Sequence, residues 1–118
     1  AVILPHVIKY NSEKPTKFAA FPKYKTFIAD EKYFQIAKYL GLKADTVEQG
    51  VQSLIKAVQD LMKQVNIPSS IKECGVSKES FNTNLSKLAT RAFEDQCTTT
   101  NPRYPLITEL EDILKKAY

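Results

Sequence analysis

Enzymatic chemistry needs groups that attack, move protons or hold a metal, and this chain of 118 residues has few of them. His6 is its one imidazole, and Cys74 and Cys97 are its two thiols. A catalytic metal normally takes several protein ligands, often paired His side chains, so a single His gives no basis for a metal site. A thiolate–imidazole pair of Cys97 with His6 would require the fold to join distant residues. His6, beside Pro5 in an apolar run, reads better as a packed side chain donating one hydrogen bond. The carboxylates at Glu48, Asp60, Glu73, Glu94, Asp95, Glu109, Glu111 and Asp112 fall mostly at helix ends or outer faces, where capping and solvation explain them. Gly41, Gly50 and Gly75 stand apart, which leaves no glycine-rich phosphate loop. From residue types alone, no catalytic, cofactor-binding or metal-ligating group is assigned.

Cys97 nevertheless lies in the most informative stretch, E-D-Q-C-T-T-T-N-P-R-Y-P-L from Glu94 to Leu106. Three consecutive hydroxyl residues and an Asn before Pro favour side-chain-to-backbone hydrogen bonds over a regular helical ladder. Pro102 biases Asn101 towards extended backbone, and Pro105 repeats the constraint. The stretch therefore predicts a tight connection between two helices.

The elements that hold this connection follow from hydrophobic periodicity. An opening helix is predicted from Ala1 to about Tyr10, with Pro5 near its start or kinking it. A loop at about 11–29 follows, in which Phe18, Phe21, Tyr24 and Phe27 recur every third residue. Those rings could stack on bases among the lysines, but anchoring of a long surface loop is the better reading, because no strand or groove is available to present them. Asp30 is expected to cap a helix running to Leu40, closed by Gly41 in the left-handed region. Asp45 with Glu48 predicts a capping box for the next helix. On that helix Val47, Val51, Leu54, Ile55, Val58, Leu61, Met62 and Val65 share one face. It stops at Asn66-Ile67-Pro68, and a short turn from Ser69 to Glu73 ends at Gly75. Ser77 caps a helix that points Phe81, Leu85, Leu88, Ala89, Ala92 and Phe93 inward. The last helix, starting with Pro105 or capped by Thr108, presents Leu110, Ile113, Leu114 and Ala117. No stretch alternates with period two. The expectation is an all-α helical bundle, a single helical domain over 1–118, with Val51, Leu54, Val58, Leu61, Leu85, Leu88 and Leu110 in a shared core.

The net charge is +4, but lysines are spread along every segment, which describes a solvated surface better than a nucleic-acid patch. No apolar run approaches the ~20 residues of a membrane span, and nothing resembles a signal peptide. Two cysteines without a disulfide framework point to a reduced, cytoplasmic setting. Ala1-Val2-Ile3-Leu4-Pro5-His6-Val7-Ile8 opens with apolar side chains and no N-cap, as if partway through a buried element. The chain is accordingly expected to be a fragment of a larger enzyme.

Four lines of sequence carry a resemblance that covers nearly the whole chain. They are A-V-I-L-P-H-V-I-K-Y-N at the start, I-A-K-Y-L-G from Ile36, N-I-P-x-x-I-x-x-x-G-V from Asn66, and D-Q-C-T-x-x-N-P-R-Y-P-L from Asp95. In this order they resemble the carboxy-terminal part of the iron-dependent alcohol dehydrogenases. The segment N-x-x-K-P-T-K-F-A-A-F from Asn11 is similar to an insertion of the bifunctional aldehyde-alcohol dehydrogenases. The resemblance implies the helical half of an enzyme that uses iron and NAD to interconvert short-chain aldehydes, such as acetaldehyde, and alcohols in fermentation. It implies that the one Asp and three His that hold the metal precede Ala1, so this stretch alone binds neither iron nor NAD and is inactive. It places Cys97 on the substrate side of the cleft, and it leaves Asn101 and Arg103 as structural residues that fix the turn and satisfy helix-end carbonyls. The implied partners are the rest of the polypeptide and further copies, in a homo-oligomer or helical filament, with no nucleic acid and no membrane. The alternative from another class is a small basic helical module binding a partner protein or nucleic acid.

Overall fold

The computed structural model describes residues 1–16 and 26–118. Among them are five α-helices, one 3-10 helix and no strand, the all-α class that the periodicity predicts. Helix α1 spans Leu4–Ser12 and carries Pro5 in its first turn, where a missing N–H removes no ladder bond. It runs past Tyr10, so Asn11 and Ser12 belong to the helix and not to the loop expected at about 11–29. Of the ring anchors expected in that loop, Phe18, Phe21 and Tyr24 lie outside the described residues.

Helix α2 spans Ala29–Tyr39 and begins one residue before Asp30. Asp30 is therefore not the cap; its carboxylate accepts the Glu31 N–H at 2.9 Å within the first turn, where negative charge suits the helix dipole. Gly41 closes this helix at φ 68°, as predicted. Helix α3, Val47–Gln64, is capped one residue later than Asp45. The Thr46 hydroxyl accepts the Gln49 N–H, and the Gln49 side chain returns to the Asp45 N–H at 2.7 Å. Thr and Gln thus fill the roles expected of Asp45 and Glu48. After α3 the chain reverses through Asn66, whose φ of 58° an Asn tolerates better than most residues. Helix α4, Lys78–Glu94, has Ser77 as its cap, as predicted. The 3-10 helix Gln96–Thr100 and helix α5, Ile107–Ala117, complete the order. Neither Pro105 nor Thr108 starts α5. Leu106 takes the capping position, and the Glu109 carboxylate accepts its N–H at 2.7 Å.

The packing departs from the single shared core in an informative way. Helix α2 lies along α3, α4 lies along α5, and α1 is the helix that touches both pairs. Ile8, Ala37, Val51 and Leu54 form one buried cluster, with Ile55 and Val58 packed against it. Gly50 permits the close approach of α2, since a Cβ there would stand 2.7 Å from Phe34 Cδ2 and 3.2 Å from Phe34 Cα. Leu85 and Leu110 are half-buried and belong to the α4–α5 side. Leu61 and Leu88, expected in the core, are 58% and 45% exposed. For Leu61 the cause is length: α2 has 11 residues against 18 in α3, so the last turns of α3 extend beyond their neighbour. Phe81 and Ile113 are buried, and Phe81 stacks on Tyr118 with ring centroids 4.4 Å apart. The Ile71 N–H reaches the Ala117 carbonyl at 2.8 Å, and the Tyr118 hydroxyl donates to the Val76 carbonyl, so the end of α5 holds the turn before α4.

Candidate functional site

The connection from Asp95 to Leu106 satisfies its backbone largely with its own side chains. Asp95 caps the 3-10 helix by accepting the Cys97 N–H at 2.8 Å. Thr99 donates to the Gln96 carbonyl and Thr100 to the Cys97 carbonyl, each three residues back. The Thr98 hydroxyl reaches the Ala92 carbonyl near the end of α4. These are the side-chain-to-backbone bonds that three hydroxyl residues in a row predict, although they support a short 3-10 helix rather than an irregular run.

Arg103 fastens this connection to α1 and α5. Its side chain is only 13% exposed. It donates to the Tyr10 carbonyl at 3.0 Å, to the Glu13 carboxylate at 2.9 Å and to the Glu109 carboxylate at 3.2 Å. The guanidinium also lies 4.0 Å over the Tyr10 ring, and the Tyr10 hydroxyl donates to Glu109 at 2.9 Å. Burial works against the guanidinium charge, but the Glu13 hydrogen bond with the charges of Glu109 and Glu13 outweighs it and moves the pKa upward. The helix-end carbonyl contact was legible from the sequence. The role of Glu109 was not, because only the fold shows that an α5 carboxylate faces Tyr10, Arg103 and Leu106 together.

Beside this ion network lies a cleft of about 220 Å³ between α1, the 3-10 helix and α5. Val7, Pro105, Leu110 and Ile113 supply apolar walls, Asn11 and Asn101 a polar edge, and Cys97 and Thr98 a lip from the 3-10 helix. Cys97 is exposed. A hydrogen bond to Asp95, and then the charge of that carboxylate, push its thiol pKa upward. It remains a neutral, polarizable thiol at pH 7 rather than a reactive thiolate.

His6 is half-buried and lines other cavities: one of about 710 Å³ with Pro5, Met62 and Ile67, and a polar one with Arg103 and Glu109. Burial, and secondarily the charge of Lys116, lower its pKa. It does not line the cleft that holds Cys97, and no hydrogen bond joins the two side chains. Cys74, in the turn before α4, is exposed. Among the described residues no group of three or more His, Cys, Asp or Glu side chains is placed to hold a metal. Among the described residues no helix is long and apolar enough to cross a membrane.

Comparison with known proteins shows the family of the chain. The family model for the carboxy-terminal part of the Fe-containing alcohol dehydrogenases matches residues 1–118. The chain belongs to that family. Within it, the chain is 42% identical over its whole length to aldehyde-alcohol dehydrogenase 2 of Entamoeba histolytica, of which it spans 14%. It is equally similar, at 42% over 121 residues and 14% of the relative's length, to the bifunctional aldehyde-alcohol dehydrogenase of Escherichia coli K12. An NADPH-dependent butanol dehydrogenase of Clostridium saccharobutylicum matches at 36%, with 27% of its length covered. In these relatives the matched region is part of a much longer polypeptide. The higher identity to the bifunctional enzymes agrees with the N-x-x-K-P-T-K segment. A match over the whole chain also removes the support for an unrelated basic binding module.

Proposed function

We propose that this chain forms the helical wall of the active-site cleft in an iron-dependent, nicotinamide-linked alcohol dehydrogenase that interconverts short-chain aldehydes and alcohols. The observation that carries the reading is the family match over 1–118 together with Cys97 on the lip of a small apolar cleft. The residues of this region do not themselves fit an iron site, since His6 is the sole imidazole and no ligand group is assembled among the described residues. In this reading the metal ligands and the nicotinamide site come from elsewhere in the polypeptide, and no chemical step is assigned to a group of this chain.

What the chain supplies is shape and exclusion of water. Val7, Leu110 and Ile113 give a surface on which a hydrocarbon tail replaces water, worth about 0.8 kcal/mol per buried methylene. At about 220 Å³ the cleft is smaller than typical ligand pockets of ~300–1,000 Å³, which favours substrates of few carbons. Cys97, kept protonated beside Asp95, borders the tail without competing for the carbonyl carbon as a nucleophile. On this reading the immediate partner of the region is the rest of its polypeptide, the whole enzyme self-associates, and it works in the cytoplasm.

The test is NADH-linked reduction of acetaldehyde by the full-length polypeptide before and after iron removal. Loss of activity on chelation and recovery with ferrous iron is the expected result. Aldehyde reduction indifferent to iron, or absent from the iron-loaded protein, would refute the proposal.

A further inference from the structure

The lip that carries Cys97 is joined to α1 by a reciprocal amide pair. Asn11 is 4% exposed, the one buried polar residue of the described core. Its Nδ2 donates to Asn101 Oδ1 at 3.1 Å, and Asn101 Nδ2 donates back to Asn11 Oδ1 at 2.8 Å. Asn101 Nδ2 also donates to the Arg103 carbonyl. Both hydrogens of that amide are thus used, and the Asn101 N–H closes the 3-10 helix on the Thr98 carbonyl at 3.2 Å. The two amides line the same cleft as Cys97 and Thr98. A reciprocal pair fixes both separation and orientation of two backbones, which a single bond or an apolar contact does not.

Resting on the proposed substrate role of this cleft, we infer that Asn11 and Asn101 are positioning residues that set how far the Cys97 lip stands from α1, and so the substrate chain length the cleft admits. Neither amide needs to touch substrate. They act through the 3-10 helix: with the pair intact the lip is held at one width, and with it released the lip rides outward and longer tails gain room. Arg103 alone does not replace this function, because it ties the segment after Asn101 to the end of α1 at Tyr10 and Glu13, beyond the lip itself.

The experiment uses the full-length iron-loaded enzyme and an alcohol series from ethanol to hexanol, with Asn11→Leu, Asn101→Ala, the double variant and Cys97→Leu. Asn101→Ala leaves the buried Asn11 amide without its partner, and Asn11→Leu leaves the half-buried Asn101 amide with only the Arg103 carbonyl; each loses stability, whereas the double variant removes both polar groups and regains much of it. If the pair sets cleft width, the double variant raises kcat/KM for hexanol relative to ethanol by about tenfold, within the range expected for a gain of one or two methylene-sized spaces. That change resides in KM for the longer alcohols. If the amides only stabilise the fold, selectivity follows Tm and returns to the parent ratio in the double variant, which overturns the inference. Cys97→Leu separates the two proposals. Selectivity that shifts with Cys97→Leu but not with the double variant refutes the positioning role and leaves the cleft reading intact. Selectivity that moves with neither refutes both. Should Asn11→Leu fail to fold, Asn101→Ala paired with Asn11→Ala gives the same comparison.

Discussion

In the α2–α3 pair, the residues in contact are Ala37, Val51 and Leu54, with Ile8 of α1 closing the cluster and Gly50 letting Phe34 approach. At the corner where α1 meets the 95–106 connection and α5, the contacts are made by Tyr10, Asn11, Asn101, Arg103 and Glu109. The first region is held by area removed from water, which is tolerant of orientation. The second is held by directed bonds, each of which fixes an angle as well as a distance. Apolar packing suffices to build a support; a cleft whose width matters needs the directed kind. Helix α1 carries both on one short element, with Ile8 turned to the apolar pair and Tyr10 and Asn11 to the polar corner.

The sharpest way to break this contrast is to truncate one leucine in each environment of α3. Leu54→Ala, in the buried cluster, should cost about 2–5 kcal/mol in urea unfolding, while Leu61→Ala, more than half exposed, should cost under about 1 kcal/mol. Equal costs would mean that the apolar region extends over the end of α3. Next in size is Arg103→Met, which removes one hydrogen bond each from the Tyr10 carbonyl and the Glu13 and Glu109 carboxylates. Because Glu13 is half exposed and its bond is screened by solvent, the loss should be about 1–3 kcal/mol. It should also disorder the cleft corner, with faster amide exchange at 97–103 than in α3. Uniform exchange across both regions would argue against separate means of support.

The smallest effect is a pH dependence at the boundary between the regions. The folded chain prefers neutral His6, because burial and Lys116 depress its pKa below 6.5. The unfolded chain therefore binds more protons, and stability rises with pH up to about 6.5 and falls as pH drops below it. His6→Gln should flatten that slope. A slope of the opposite sign, with stability gained on acidification, would show that His6 is held protonated.

The two regions also differed in how far the sequence disclosed them. Helical periodicity identified α3 and its face through Val51 and Leu54, because an apolar stripe is a local signal. It overestimated Leu61 and Val65, because a stripe does not reveal where the neighbouring helix ends. In the polar corner the T-T-T-N-P-R run announced a tight connection and its self-bonding hydroxyls, and Arg103 was read correctly as a partner for a helix-end carbonyl. Asn11, Tyr10 and Glu109 gave no such signal. Their partners lie 90 or more positions away for Asn11 and Tyr10, and a carboxylate in the first turn of a helix has an ordinary explanation in capping. The helix caps were misplaced by two residues at Asp30, where Ile28 takes the position without a side-chain bond, and by one at Asp45, where Thr46 serves instead.

The measurement closest to the central proposal is labelling of Cys97 by a small thiol reagent in the full-length enzyme, with and without nicotinamide cofactor and alcohol. Cys97 is exposed in the structure and its pKa is raised by Asp95, so labelling should proceed slowly at neutral pH and faster as the pH increases. Asp95→Asn should speed it at a given pH. If Cys97 borders the substrate, bound cofactor and alcohol together should slow labelling at this site while leaving Cys74, also exposed, unaffected. Identical Cys97 labelling rates with and without the ligands would contradict the assignment of this cleft to the substrate.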